Sequence, residues 1–474
     1  MKNLKFNYLL ILFFFITRNY SSSLSAQEVP EIASLLSQYI SIPSQSGNEN
    51  AAGEFLSKTC LKKDLEVTVL TDSIGQYNFT ASLYPLSSGK PNIVLMNHID
   101  VVTPGDESRW IYPPDKGVIS DGCVWGRGAI DNKGMAVMQL QAMASLVELS
   151  KTIDLPYNVT MLSLSSEELG GGKGAAIVSK RFMNVLNPVV MLGEGGSGIR
   201  GVVTSRKKVI YGVSVAHKRG LWLKLVLSIP VPGHASVPSK KCANKVMIKA
   251  LHRLNKKKSP LLLTKCTRQM FHELGGSESG AKGYLLRNIE KYKMFMGPII
   301  RNKPILSSLM TNTVTITNIR NPNASVNSIP QTIEVILDCR LLPETNSHEF
   351  IEDIRQTLNE DSITIEILNE TRPASPSYPD KYFREIEFAL NSVYDEISVV
   401  PILFPAFNDN HYFREKGIPV FGILPIELND QLLQSIHNCD ERIPVESLIK
   451  GQLVYEKFLS NLVNPPLLTN RIEN

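Results

Sequence analysis

The chain has 474 residues, 43% of them hydrophobic and 20% charged, with 50 Lys and Arg against 45 Asp and Glu. That length exceeds one ordinary hydrophobic core and calls for two domains. The near balance of charge excludes a chain built around a strongly basic surface for nucleic acid.

The first apolar run, FNYLLILFFFIT at residues 6–17, follows Lys2 and Lys5 and precedes the small-residue stretch SSSLSA ending at Ala26. It is shorter than the roughly 20 apolar residues of a helical span. It reads as a secretory signal peptide over 1–26, with the mature chain exported, periplasmic or secreted, and without membrane contact after cleavage. Export permits disulfides, but Cys60, Cys123, Cys242, Cys266, Cys339 and Cys439 are scattered without C-x-x-C spacing. Mostly buried free thiols with at most one bridge are expected, and no thiolate metal site. Asn78, Asn158, Asn323 and Asn369 fit the short glycosylation pattern.

From residue 93 to about 192, apolar runs alternate with helical patterns, as in a mostly parallel, doubly wound α/β sheet. IVLM ends in His98 and Asp100; MAVMQLQAMASLVELS has the spacing of an amphipathic helix on the sheet; NVTMLSLSS and NPVVMLGEGG are strands that end in acids and glycines. Beyond residue 212 the order becomes β-α-β-β-α-β. That predicts an α+β, ferredoxin-like domain over 213–370 inserted into a larger domain of 27–212 and 371–474. Residues 257–303 read as a solvated surface excursion of unassigned role.

The chemistry-bearing residues gather where open α/β sheets build sites, at strand ends. They are His98 and Asp100, Asp131 in GRGAIDNKG, Glu167 and Glu168 in SSEELGG, Glu194 in GEGG, and His437 in IHNCDER. Neighbouring residues of an extended segment point to opposite sides, so Glu167 and Glu168 would face different partners. Each has a plainer reading: Asp131 as a helix cap, the glutamate pair as solvated acids, His437 as a loop histidine. Together, two imidazoles and several carboxylates form a mixed N/O donor set suited to zinc, with more carboxylates than one ion needs.

The motifs HIDVV, GRGAIDNKG, SSEELGG, GEGG, GHASVP, NSIP, DCR and IHNCDER occur in an order that resembles the dinuclear zinc peptidase family of aminoacylase, glutamate carboxypeptidase, succinyl-diaminopimelate desuccinylase and carboxypeptidase S, closest to the last. The resemblance covers nearly the whole mature chain. It implies two Zn2+ per subunit, with His98 and Glu194 on one, Glu168 and His437 on the other, and Asp131 bridging, often through a cis peptide to the next residue. It further implies Asp100 as the residue orienting His98 and Glu167 as general base. The domain over 213–370 would serve as lid and dimerisation unit of the catalytic domain. His234 of GHASVP would stabilise the oxyanion across a homodimer interface, while Asn327 and Arg340 hold the substrate; Arg340 could equally brace Asp338.

Two positions depart from the family pattern. Gly193 replaces an acid before Glu194, and His411 in FNDNHYF stands where an arginine is usual, which trades a permanent cation for a titratable imidazole near the substrate carboxylate. Asp409 stays in register. The implied activity is a secreted exopeptidase, carboxypeptidase-like, acting on small peptides or N-acyl amino acids. An aminoacylase shares every catalytic residue, and a catalytically idle binding protein of the same fold should have lost the base or the ligands.

Overall fold

The computed structural model describes residues 29–200, 208–230, 233–322 and 325–463. The expected signal peptide and Asn323 lie outside them.

An eight-stranded sheet forms the body. Its strands are β1 (Glu66–Ser73), β2 (Gln76–Ser82), β3 (Asn92–His98), β6 (Asn158–Leu164), β7 (Pro188–Arg200), β8 (Val209–His217), β13 (Ile397–Phe404) and β14 (Val420–Leu428). The short strands β4 (Val118–Ser120), β5 (Cys123–Trp125) and β15 (Arg442–Pro444) make a separate three-stranded sheet. The large sheet runs β1-β2-β6-β3-β7-β14-β8-β13, parallel through β6, β3, β7 and β14 and again between β8 and β13. Strands β3 and β6 are buried at every position, which explains their continuous apolar runs.

The helix Lys133–Ala144 is not amphipathic in place. Every residue from Lys133 to Met143 is buried, because helices Val445–Val463 and Glu31–Ile40 cover the side away from the sheet. Gln139 and Gln141, which an amphipathic helix would turn to solvent, are buried as well. Gln139 donates to the Met96 carbonyl and accepts from Asn97.

The second sheet is antiparallel, ordered β10-β11-β9-β12 from β9 (Arg219–Ser228), β10 (Thr313–Arg320), β11 (Thr332–Leu341) and β12 (Thr364–Glu370). Alternate residues Leu221, Leu223, Leu225 and Leu227 on β9, with Ile333, Val335, Leu337 and Cys339 on β11, form its core against helices Ala243–Lys256 and Ser347–Leu358. This is the expected ferredoxin-like arrangement. Strand β8 belongs wholly to the large sheet, so the chain enters the small one at Arg219 rather than at residue 213.

The excursion after Lys256 is not a solvated insertion. Four helices, Lys265–Gly276, Gly280–Arg287, Ile289–Arg301 and Pro304–Leu309, return to the body, where Met270, Phe271, Leu274, Leu306 and Leu309 join the core of the large sheet. All six cysteines are free thiols, four of them buried. Asn78 and Asn158 are buried and hydrogen-bonded, which rules them out as glycosylation acceptors in the folded chain, whereas Asn369 is exposed.

Candidate metal centre and its cavity

Strand β3 delivers His98 to the carboxyl edge of the sheet with its ring 2% exposed. Its Nδ1 lies 2.9 Å from the Asp100 backbone carbonyl. A carbonyl only accepts, so Nδ1 carries a proton and Nε2 faces the carboxylates. It meets Asp131 Oδ1 at 3.0 Å and Glu194 Oε2 at 3.3 Å. The orienting group is therefore the main chain of Asp100 more than its carboxylate, whose Oδ1 is 3.6 Å away. That carboxylate instead accepts from the backbone N–H groups of Glu167 and Glu168, at 3.0 and 3.1 Å, and from Ser46. Asp100 thus fixes the His98 tautomer and the glutamate turn together.

Glu167 and Glu168 do not lie on an extended segment. They open a single 3-10 turn, Glu167–Leu169, entered through Ser166 at φ 65°. The turn still separates their roles in space. Glu168 Oε1 is 3.2 Å from His437 Nε2, which lies 3.1 Å from Asp131 Oδ2. The two oxygens of Asp131 therefore serve different clusters: His98, Asp131 and Glu194 in one, Asp131, Glu168 and His437 in the other. Asp131 does not cap the following helix, and its bond to Asn132 is cis. Glu194 sits at a break in the β7–β14 register between Gly193 and Gly196.

The charge balance of this centre fits cations. Burial works against a charged His98, yet Asp100, Asp131 and Glu194 raise its pKa well above the usual value. His437 is raised to about 10 by its hydrogen bonds to Asp131 and Glu168. Glu167 is pushed well above the carboxylate range by burial and by the charges of Glu194, Asp409 and Asp131, with His98 opposing. Burial and the Asp131 charge likewise raise Glu194. Crowded carboxylates of this kind are costly without cations between them.

Several residues that hold the centre were not singled out in the sequence. Glu441 is fully buried and accepts from Arg127 at 2.6 Å and from the backbone N–H groups of Gly128, Ile130 and Asp131 at 3.1, 2.8 and 3.1 Å. It ties the Asp131 loop to the His437 segment, and Arg127 adds a bond to the Asn438 carbonyl. The only local signal was an acid closely following His437. The Gly193 departure has a simple cause: a Cβ there would stand 2.0 Å from Asn410 Oδ1, and Asn410 uses that space to donate to the Glu194 carbonyl at 2.7 Å. Asp409 is buried with both carboxylate oxygens lacking a hydrogen-bond partner among the described residues, and it faces Gly171, where φ is 69° and an added Cβ would stand 2.2 Å from Asp409 Oδ1.

A cavity of about 1350 Å³ opens from the carboxylates. Glu167, Glu168, Glu194, Asp131 and His437 line one end. Apolar lining comes from Met270, Leu274, Leu306 and Leu309 of the excursion and from Val400 and Leu424 of the sheet, and polar lining from Asn369, Glu370, Thr371 and Arg372. His411 and Arg340 also reach it. Arg340 braces Asp338 bidentately, at 2.8 and 2.9 Å. His411 is not a titratable cation near neutrality. Burial and the nearby Arg414 and Arg219 push it down to about 4. Buried Arg414 donates to His217 Nδ1 at 2.9 Å, and His217 Nε2 meets His411 Nδ1 at 3.0 Å. Because arginine only donates, both rings carry their protons on Nε2, and His411 is a neutral N–H donor. His234 and Asn327 lie elsewhere. They are exposed neighbours on the small domain, where the Ala235 N–H bonds the Asn327 carbonyl at 2.8 Å, and neither lines the cavity.

The model of peptidase family M20/M25/M40 matches residues 94–461. The chain belongs to this family. Among its relatives are a probable carboxypeptidase S-like protein of Dictyostelium discoideum, 28% identical over 83% of this chain and 76% of the relative, and the N-fatty-acyl-amino acid synthase/hydrolase PM20D1 of Mus musculus, 27% identical over 93% and 89%. In fold the chain is similar to an M20 family metallo-carboxypeptidase from Sulfolobus solfataricus, with a TM-score of 0.66 at 19% identity, covering 91% of this chain and 99% of the other. As an M20 family member the protein is a hydrolase of amide bonds in peptides or N-acyl amino acids.

Proposed function

We propose that this M20 enzyme is an exported, dinuclear zinc amidohydrolase that cleaves N-acyl amino acids bearing long apolar acyl chains. The observation that carries the substrate class is the cavity: beside the carboxylates and a polar stretch at Asn369, Thr371 and Arg372, most of its lining is apolar, with a broad aliphatic wall from Met270, Leu274, Leu306, Leu309, Val400 and Leu424. A peptide would place its backbone N–H and C=O groups against that wall without partners, at a cost of 1–3 kcal/mol for each unpaired group by typical magnitudes, roughly. An acyl chain has nothing to leave unpaired. The N-acyl alternative is therefore preferred to the carboxypeptidase reading favoured by the motifs, and the mouse relative, an N-fatty-acyl-amino acid synthase/hydrolase, supports the same choice.

In this reading His98, Asp131 and Glu194 would hold one ion and Asp131, Glu168 and His437 the other. When bound, two such ions would supply Lewis acidity to polarise the amide carbonyl. Glu167 would take a proton from the attacking water as its oxygen bonds to the amide carbon, then return the proton to the leaving nitrogen as the C–N bond breaks. The raised pKa of Glu167 suits a group that must both accept and give a proton. His411 offers a neutral N–H to the amino-acid half, and Arg340 a cation already half neutralised by Asp338. His234 and Asn327, remote from their own cavity, would complete the site of a second subunit in a homodimer.

The test is a series of N-acyl glycines of increasing chain length alongside dipeptides, on zinc-loaded protein, with products identified by mass spectrometry. Each buried methylene is worth about 0.8 kcal/mol, so kcat/KM should climb roughly fourfold per carbon until the cavity is filled. Dipeptides cleaved faster than long-chain substrates would return the enzyme to the peptidases.

A further inference from the structure

The helix Ile289–Arg301 shows an apolar face to solvent. Met294 is 87% exposed, Phe295 80% and Ile299 55%, and Tyr284 and Ile305, on the helices before and after it, are half exposed as well. The same stretch of chain carries Arg287, Lys291, Lys293, Arg301 and Lys303, while the sole acid between residues 284 and 305, Glu290, pairs with Arg268 at 3.4 Å. Protruding methionine and phenylalanine in a stretch rich in cations is the composition of a helix that lies in a membrane interface. No helix among the described residues is long and apolar enough to cross a membrane.

The patch also meets the cavity. In the helix Pro304–Leu309, Ile305 is half exposed beside the apolar face, yet Ile305, Leu306 and Leu309 all line the acyl cavity. We propose that this face docks the enzyme on an anionic lipid surface, so that a long-chain substrate passes from the bilayer into the cavity beside Ile305. The purpose assigned to the docking rests on the long-acyl reading of the site. A second copy of the chain is a poorer occupant, since apposing two such faces brings five cations against five within a chain of net charge +5. Overall composition had given no reason to expect a lipid partner. The concentration of cations in the stretch that carries the apolar face does.

The full chain is sedimented with vesicles of phosphatidylcholine, alone or with about one-third phosphatidylserine. Binding to the mixed vesicles should exceed binding to the neutral ones roughly tenfold and fall as salt rises. The double variant Met294→Ser, Phe295→Ser should lose about tenfold in binding and in hydrolysis of a vesicle-embedded long-chain substrate, while cleavage of a soluble short-chain N-acyl amino acid stays unchanged. Failure of the wild-type chain to pellet with the mixed vesicles overturns the proposal. So does a double variant that binds vesicles normally but changes oligomeric mass by light scattering, which would assign the face to a second copy, or equal retention of the wild type by polyglutamate and by vesicles. Vesicle binding without hydrolysis of any soluble N-acyl amino acid would leave the docking surface standing and sink the substrate reading.

Discussion

Replacing Glu441 by Gln perturbs the metal centre without touching a ligand. The side chain keeps its size, but one oxygen becomes an NH2 that cannot accept, and the charge opposite Arg127 disappears. Arg127 is 5% exposed and Glu441 fully buried, so the remaining guanidinium stays desolvated and unpaired. Breaking a buried pair in this way costs about 3 to 5 kcal/mol. With an unfolding entropy on the order of 0.9 kcal/mol/K for a body of this size, the melting temperature should drop about 3 to 6 °C. The three backbone N–H groups that Glu441 gathers belong to Gly128, Ile130 and Asp131, so the same change loosens the carboxylate shared by both clusters. Loss of such an outer partner typically costs 10- to 100-fold in metal affinity, roughly. Calorimetric titration of chelated protein with zinc, beside thermal unfolding with and without metal, reads both quantities. A variant that melts within about a degree of the parent and binds zinc equally well would falsify the clamp assigned to Glu441.

Glu167→Gln should retain its metal, measured by elemental analysis, and lose about 10²- to 10⁴-fold in kcat, the usual worth of a general base; Asp131→Ala should lose both ions. His411 has a folded pKa of about 4 against an unfolded value near 6.5. The unfolded chain therefore binds more protons between these values, so the His411 contribution to stability is full above pH 6.5 and is lost as pH falls towards 4. In metal-free protein, wild type should lose about 1 kcal/mol more than His411→Gln between pH 7 and 5.5, read from urea midpoints; equal losses would mean that His411 is charged in the native state. For the same reason His411 should leave kcat/KM flat from pH 6 to 8, contrary to the titration expected of an imidazole replacing arginine. Mixing Glu167→Ala with His234→Ala subunits should restore one working site per mixed dimer, and verified mixed dimers as inactive as either parent would place His234 within its own subunit.

The sequence by itself determined the α/β body, the ferredoxin-like second sheet and the residues that meet at the centre. Those features are written locally: a fully apolar strand can only be buried on both faces, alternation over Leu221–Leu227 can only be a one-sided sheet, and a His or Glu where such a strand ends must emerge at its edge. The tertiary structure alone decided what each buried polar group pairs with, because that depends on segments far apart in the chain. Glu441 finds the Asp131 loop across more than three hundred residues. Asn410 fills the space left at Gly193, and Arg414 sets the proton on His411 through His217. It decided, too, that residues 265–309 wall the cavity, for their helical periodicity shows that one face is buried but not against which partner. An amphipathic pattern specifies that a surface must be covered, and only packing says by what.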